Sequence, residues 1–159
     1  MPGSQLQIKH SNLEYSDENG SVFWSLPIPS IALIAEYTTN EGPQYDDYFL
    51  VFVTIEKDIF HFHTASFYAA GRDETLAALK QLLGSTFELE LTGSTEWDSR
   101  VIWPQEIAGN KYFQFKPMRP ETMLQKVKDK LLEPTLEFSI AKPIQEYLQS
   151  RLKDIPKSK

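Results

Sequence analysis

The chain contains no cysteine. That absence excludes disulfides, thiolate metal centres, iron–sulfur clusters and cysteine nucleophiles together. It suits a reducing compartment. Long apolar runs are also missing. The longest are five residues, at 31–35 and 49–53, whereas a membrane span needs about 20. Residues 1–12 hold no apolar signal-peptide core, so the expected location is the cytoplasm. Basic residues are scarce in the first half, where residues 1–73 carry 3 Lys/Arg against 10 Asp/Glu. Such a surface repels phosphate backbones and anionic head groups, so neither nucleic acid nor a membrane is an expected partner. Residues 116–159 reverse the balance, with 10 basic against 6 acidic residues. Those charges interleave along predicted helices and read as a solvated face.

What is present describes a folded domain. A chain of 159 residues suits one domain, or one domain with an appendage. Its 10 Phe, 7 Tyr and 3 Trp are too many for a disordered segment. Neither an internal repeat nor a low-complexity segment appears.

Alternating apolar residues from Leu6 to Tyr15 read as the first arm of a hairpin. Asp17, Glu18, Asn19 and Gly20 form its turn, since Asn-Gly accepts the positive φ values a tight hairpin needs. Val22, Trp24 and Leu26 continue the strand period, and Pro27 and Pro29 stop it. Residues 31–39 start the next strand, and 40–47 are a loop by composition. Residues 48–55 are apolar on both faces, with Phe49, Val51, Val53 and Ile55 on one and Leu50 and Phe52 on the other. Such a strand is covered on both sides, hence central. A polar turn at 56–58 returns the chain antiparallel through 59–64.

A helix is expected over 74–83. Asp73 would cap it, Leu76, Leu79 and Leu83 share one face, and Gly84 ends it. Phe87, Leu89 and Leu91 alternate with Glu88 and Glu90 as a half-buried strand would. Residues 92–95 form a turn, and 100–103 and 112–115 two further short strands. Two helices follow, each opened by proline. The first covers 120–132, with Met123, Leu124, Val127 and Leu131 on one side. The second covers 143–152, with Ile144, Tyr147, Leu148 and Leu152 as its stripe. A division into a β-rich unit, 1–116, and a C-terminal helical extension packed on it, 117–159, follows from this pattern.

The succession LQIKHSNLEYSDENG, WSLPIPSIALIAEY, YFLVFVTIEKDIFHFHT and DETLAALKQLLG resembles bacterial pleckstrin-homology-like (PH-like) domains over residues 5–84. The resemblance implies two perpendicular antiparallel sheets in a bent partial barrel, plugged by an amphipathic helix. Phosphoinositide-binding members carry basic residues around the first hairpin. Here Lys9 is the only Lys or Arg before Lys57, so that activity is not implied. The strands and helices after Gly84 depart from the family plan.

Candidate chemistry is sparse. His61 and His63 would point to one face of a strand and could share a metal. Glu36, Asp46 or Asp47 would have to complete the set, with Asp47 the foremost candidate. The plainer reading puts Phe60 and Phe62 toward the core and the histidines on the wetter face. Asp46 and Asp47 with Glu36 and Glu41 suggest an acid–base pair, but adjacent residues on an extended chain diverge, and aspartate favours turns. Residues 92–95 lack the lysine and following helix of a phosphate loop. Ser94 or Ser99 as a nucleophile would need a histidine base that nothing in the sequence supplies. Trp97, Trp103, Tyr112 and Phe113 cluster beside Asp98 and Arg100. Trp97, Arg100 and Trp103 could form a platform for a sugar or peptide, although strand aromatics are more often core.

The expected fold is α+β: a bent antiparallel sheet or partial barrel, a helix at 74–83 and two C-terminal helices. The expected function is a non-catalytic interaction module for a protein partner, with no cofactor. The alternatives are a metal-dependent enzyme or metal-binding protein centred on His61 and His63, and a small-ligand binder using the aromatic region 97–113.

Overall fold

A computed structural model describes residues 3–40, 45–92, 94, 97–117 and 136–153, with side chains described up to Phe113 and again from Ile140. The expected helix over 120–132 and the carboxylate of Glu41 lie outside these residues.

The first sheet is an antiparallel meander of β1 (Gln5–Lys9), β2 (Asn12–Ser16) and β3 (Val22–Pro27). The stretch from Leu6 to Tyr15 is two strands, not one arm. His10 and Ser11 both take positive φ, 52° and 67°, and turn the chain back on itself. Two consecutive positive-φ residues are the hairpin geometry that matches strand twist. At the second turn the Asp17 carboxylate accepts hydrogen bonds from the Asn19 and Ser21 amides at 2.9 and 2.8 Å. After Pro27 a 3-10 turn, Ile28–Ser30, leads into the second sheet.

That sheet contains β4 (Ile31–Thr38), β5 (Tyr48–Glu56), β6 (Ile59–Ser66) and β7 (Asp98–Trp103), in the order β6-β5-β4-β7 and antiparallel throughout. β4 and β5 are buried on both faces, because two cores flank them. The first core holds Leu6, Leu13 and Leu26 of the meander, Ile34, Leu50 and Phe52 of the second sheet, and Leu76 and Leu79 of a helix. The second core holds Leu33, Ala35, Val51, Val53 and Val101 against Tyr112, Ile144 and Leu148. The split of Leu50 and Phe52 from Val51 and Val53 is the alternation that the period-2 pattern demands. The two sheets do not close into a barrel. The result is a mixed α+β fold, mostly strand.

Helix α1 spans Arg72–Leu83 and starts earlier than its apolar stripe suggests. Asp73 is not its cap. The N-cap is Gly71, left-handed at φ 78°, and it makes no side-chain capping bond. Close approach to β1 explains the substitution. The Leu6 amide donates to the Ala70 carbonyl at 2.9 Å. A Cβ on Gly71 would lie 2.7 Å from the Leu6 carbonyl oxygen, so only glycine fits. The Thr75 hydroxyl then donates to that same oxygen at 3.0 Å. At the other end Gly84 terminates the helix at φ 62°.

The alternation at 87–91 does not make a sheet strand. Its polar groups are held by side chains instead, as described below. Beyond β7 the chain forms β8 (Phe113–Pro117), which pairs antiparallel with β9 (Leu136–Ile140), a strand the sequence pattern did not suggest. The pair bridges the proposed 116/117 division. Helix α2 spans Lys142–Lys153. Its Ile144 and Leu148 are 0 % and 3 % exposed within the second core, so this helix covers the chain's own sheet. No helix among the described residues is long and apolar enough to cross a membrane.

The burial of α2 generates a stability prediction. Ile144→Ala or Leu148→Ala leaves a cavity against Val51 and Val53 and costs about 2–5 kcal/mol. Leu152, at the half-buried end of the stripe, costs less. Urea denaturation of the three variants checks the ranking.

Candidate functional site

Glu36 sits in the middle of an otherwise apolar strand and is 0 % exposed. A buried carboxylate without partners costs several kcal/mol, so the surroundings must supply them. They do so from three directions. On β7, Arg100 is the residue directly opposite, and its Nε donates to Glu36 Oε1 at 3.2 Å. On β5, Leu50 is opposite and Tyr48 lies two residues further along the same face. The Tyr48 hydroxyl donates to Glu36 Oε2. The third donor is the backbone amide of Glu90, at 2.9 Å. Burial first, and then the Glu36 carboxylate, push the Tyr48 phenol well above its ordinary value, so it stays protonated and donates.

The same network fixes residues 85–92. A terminal nitrogen of Arg100 donates to the Glu88 carbonyl, and Nε lies 3.5 Å from the Glu90 carboxylate. Phe87 and Leu91 are buried beneath. These bonds replace the sheet ladder and explain why an alternating sequence is not a strand here.

Between this segment and α1 lies a cleft of about 430 Å³. Phe67, Leu76, Phe87 and Leu89 give it an apolar lining, and Arg72 and Lys80 place two cations along it. The Arg72 guanidinium lies 3.7 Å over the Phe67 ring, and the Lys80 ammonium 5.5 Å from the Phe87 ring. Phe67 stacks by its ring on Tyr48 at 4.0 Å, which links the cleft to the buried carboxylate. Both cations pair with carboxylates, Arg72 with Asp73 at 2.9 Å and Lys80 with Glu88 at 3.4 Å. The cations are sheltered, at 22 % and 32 % exposure, while both carboxylates are 80 % exposed. Asp73 and Glu88 line the cleft as well, so its charges form two ion pairs in which the cation is the more sheltered member. Exposed pairs of this kind contribute only about 0–1 kcal/mol, so a competing anion can displace them.

His61 and His63 do share a face of β6, with ring centroids 6.4 Å apart. Asp47 does not join them. His61 pairs with Thr54, whereas Asp47 precedes Tyr48 at the opposite end of β5, roughly 20 Å away at strand rise. Asp47 accepts the Tyr68 hydroxyl, and its carbonyl accepts the Thr39 amide. Nor does any group of three or more His, Asp or Glu among the described residues have a metal-binding arrangement. His63 faces the first core, where it meets Trp24 at 5.3 Å and Thr54 Oγ1 at 3.2 Å. Phe60 packs on the second core, but Phe62 is 47 % exposed, so only one of the two phenylalanines is internal.

The aromatic platform is likewise dispersed along β7. Trp97 precedes the strand and donates its indole N–H to Asn40 at 3.0 Å. Trp103 ends it, roughly 20 Å away, and packs on the first core. Arg100 belongs to Glu36. Ser99 is no nucleophile, because its hydroxyl accepts the amides of Tyr112 and Phe113 at 3.1 and 3.0 Å. The cleft residues Phe67, Arg72, Lys80 and Phe87 share no local motif. One signal was nonetheless present: Glu36 alone among apolar residues in IALIAEYTT requires a buried cation, and Arg100 lies in the strand sequence DSRVIW. Comparison with known protein families, curated proteins and solved structures finds no match to this chain.

Two predictions follow from the polar groups. Glu36→Ala removes the buried partner of Arg100, leaving it only the exposed Glu90 carboxylate, and costs about 3–5 kcal/mol by denaturant unfolding. It also frees the Glu90 amide, whose hydrogen exchange accelerates more than that of β5 amides. The second concerns His63. Burial, and next the charge of His61, lower its imidazole below the ordinary value, with Glu56 acting the other way. The unfolded chain then binds the proton more readily than the folded one. Stability is complete above about pH 6.5 and declines as pH falls toward the depressed value. Thermal melts of wild type lose Tm across that window, and His63→Phe flattens the loss.

Proposed function

We propose that the protein is a non-catalytic interaction module that holds an extended segment of a protein partner in the cleft between α1 and residues 85–92. The observation that carries this reading is the cleft's composition: an apolar floor flanked by two ion pairs, Arg72–Asp73 and Lys80–Glu88, whose bonding is weak and exposed on the carboxylate side. Its size lies within the roughly 300–1,000 Å³ range of ligand sites. Besides Thr92, the polar groups among the described lining residues are Arg72, Lys80, Asp73 and Glu88, held as two surface ion pairs, an arrangement that suits recognition of a charged segment. Tyr68, 51 % exposed, extends the apolar surface beyond its Arg72 end. The resemblance of the meander, second antiparallel sheet and helix to bacterial PH-like domains supports a scaffold that presents a binding surface. Fold likeness carries no further than that.

Selection from a random linear peptide library against the purified chain tests the proposal. Peptides that bind wild type are expected to lose binding to Ala77→Trp, which fills the cleft from an exposed helix position. The thermal midpoint should be unchanged. Failure to enrich any peptide, or binding that survives the filled cleft, overturns the assignment.

A further inference from the structure

The cleft's own spacing specifies what kind of segment it takes; this inference rests on the function proposed above. Arg72, Leu76 and Lys80 line it at intervals of four residues along α1. Four residues of helix rise about 6 Å, so cation, apolar residue and cation follow one another at about 6 Å steps over about 12 Å. An extended strand presents every second side chain to the same face, at steps of about 6.6–6.8 Å. The two repeats match over three positions. A helical partner matches less well. A helix presenting every fourth residue has the same step of about 6 Å, but with its side chains it is about 10–12 Å thick, more than a cleft of about 430 Å³ along about 12 Å admits.

We infer that the cleft recognises an extended acidic–x–apolar–x–acidic segment of a protein partner. One carboxylate would meet Arg72, the apolar side chain would rest on Leu76 and Phe87, and the second carboxylate would meet Lys80. The chain's net charge of −6 does not oppose this. At physiological salt, charges beyond about 8 Å are screened, and the carboxylates within that range that line the cleft, Asp73 and Glu88, are the ones a segment's own carboxylates replace on Arg72 and Lys80. The ring contacts of the two cations hold them in place without neutralising them. Asp73 and Glu88 are the partners a bound segment would displace, and their 80 % exposure lets both swing into water.

Fluorescence anisotropy with labelled nine-residue peptides reads the inference directly. The probe carries Glu at positions i and i+4, Leu at i+2 and Thr elsewhere. It is expected to bind at least tenfold more tightly than peptides with Glu at i and i+3, or with Gln in place of both Glu. Lys80→Glu should weaken the probe at least tenfold and should recover binding to a peptide with Lys in place of one Glu. Such rescue cannot arise from a damaged fold. Glu88→Gln, which removes the competitor, should tighten binding. Equal binding of the i, i+3 peptide, or no rescue by the exchanged charge, overturns the pattern. Failure of the two proposals is distinguishable. If library peptides sensitive to Ala77→Trp lack the acidic pair, the cleft stands and the pattern falls. If peptides ignore the filled cleft, both fall.

Discussion

A carboxylate removed from water inside a sheet constrains everything around it. Glu36 needs a cation, and the geometry of an antiparallel pair places that cation directly across the strand boundary. Arg100 occupies that position on β7. A slip of one residue would present Ser99 or Val101 instead and would turn the arginine to the other face. The register of this edge strand is therefore set by charge as well as by apolar pattern. Because Tyr48 and the Glu90 amide complete the shell, the same carboxylate fixes the start of β5 and the path of residues 85–92. That path is one wall of the cleft. The cleft thus rests on a buried group that never reaches it.

The cleft also depends on how its floor is built. Phe67 lies between the Arg72 guanidinium and the Tyr48 ring, and Tyr48 in turn bonds Glu36. A side chain at the surface is held in one orientation by a chain of contacts that ends at the centre of the sheet. Side chains supported in this way have little freedom left to lose. The second core performs a similar service from below. Ile144 and Leu148 cover the far face of β4 and β5, so the sheet that carries Glu36 and Tyr48 is supported on both sides.

Much of this architecture could be read from the chain. β4 and β5 announce themselves by apolar residues on both faces, and α1 by its leucine stripe and Gly84. Ile144 and Leu148 mark the buried side of α2. What escaped reading depended on contacts between distant segments. Asp73 has a cap's chemistry, but the approach of Leu6 gives that place to Gly71. Residues 87–91 alternate as a strand does, yet the Glu90 amide and Glu88 carbonyl are taken by Glu36 and Arg100. His61 and His63 share a face as their spacing implies, while Asp47 is carried to the other end of the sheet by the length of β5. The cleft brings together residues from a strand end, a helix and an irregular segment, and no local spacing encodes that union.

The separation of 64 residues between Glu36 and Arg100 bears on the order in which the molecule is assembled. The meander and the β5–β6 hairpin join neighbouring segments. Each doubling of a closed loop adds about 0.6 kcal/mol of entropy cost, so joining β7 to β4 costs about 2 kcal/mol more than closing an eight-residue loop. Before β7 docks, Glu36 lies on the edge of a three-stranded sheet and keeps its hydration. Its dehydration, the insertion of Phe87 and the formation of the cleft wall are thereby tied to one non-local contact, the docking of β7. A nascent chain that has emerged only as far as α1 holds the strands of the scaffold but not the partner that neutralises its central charge.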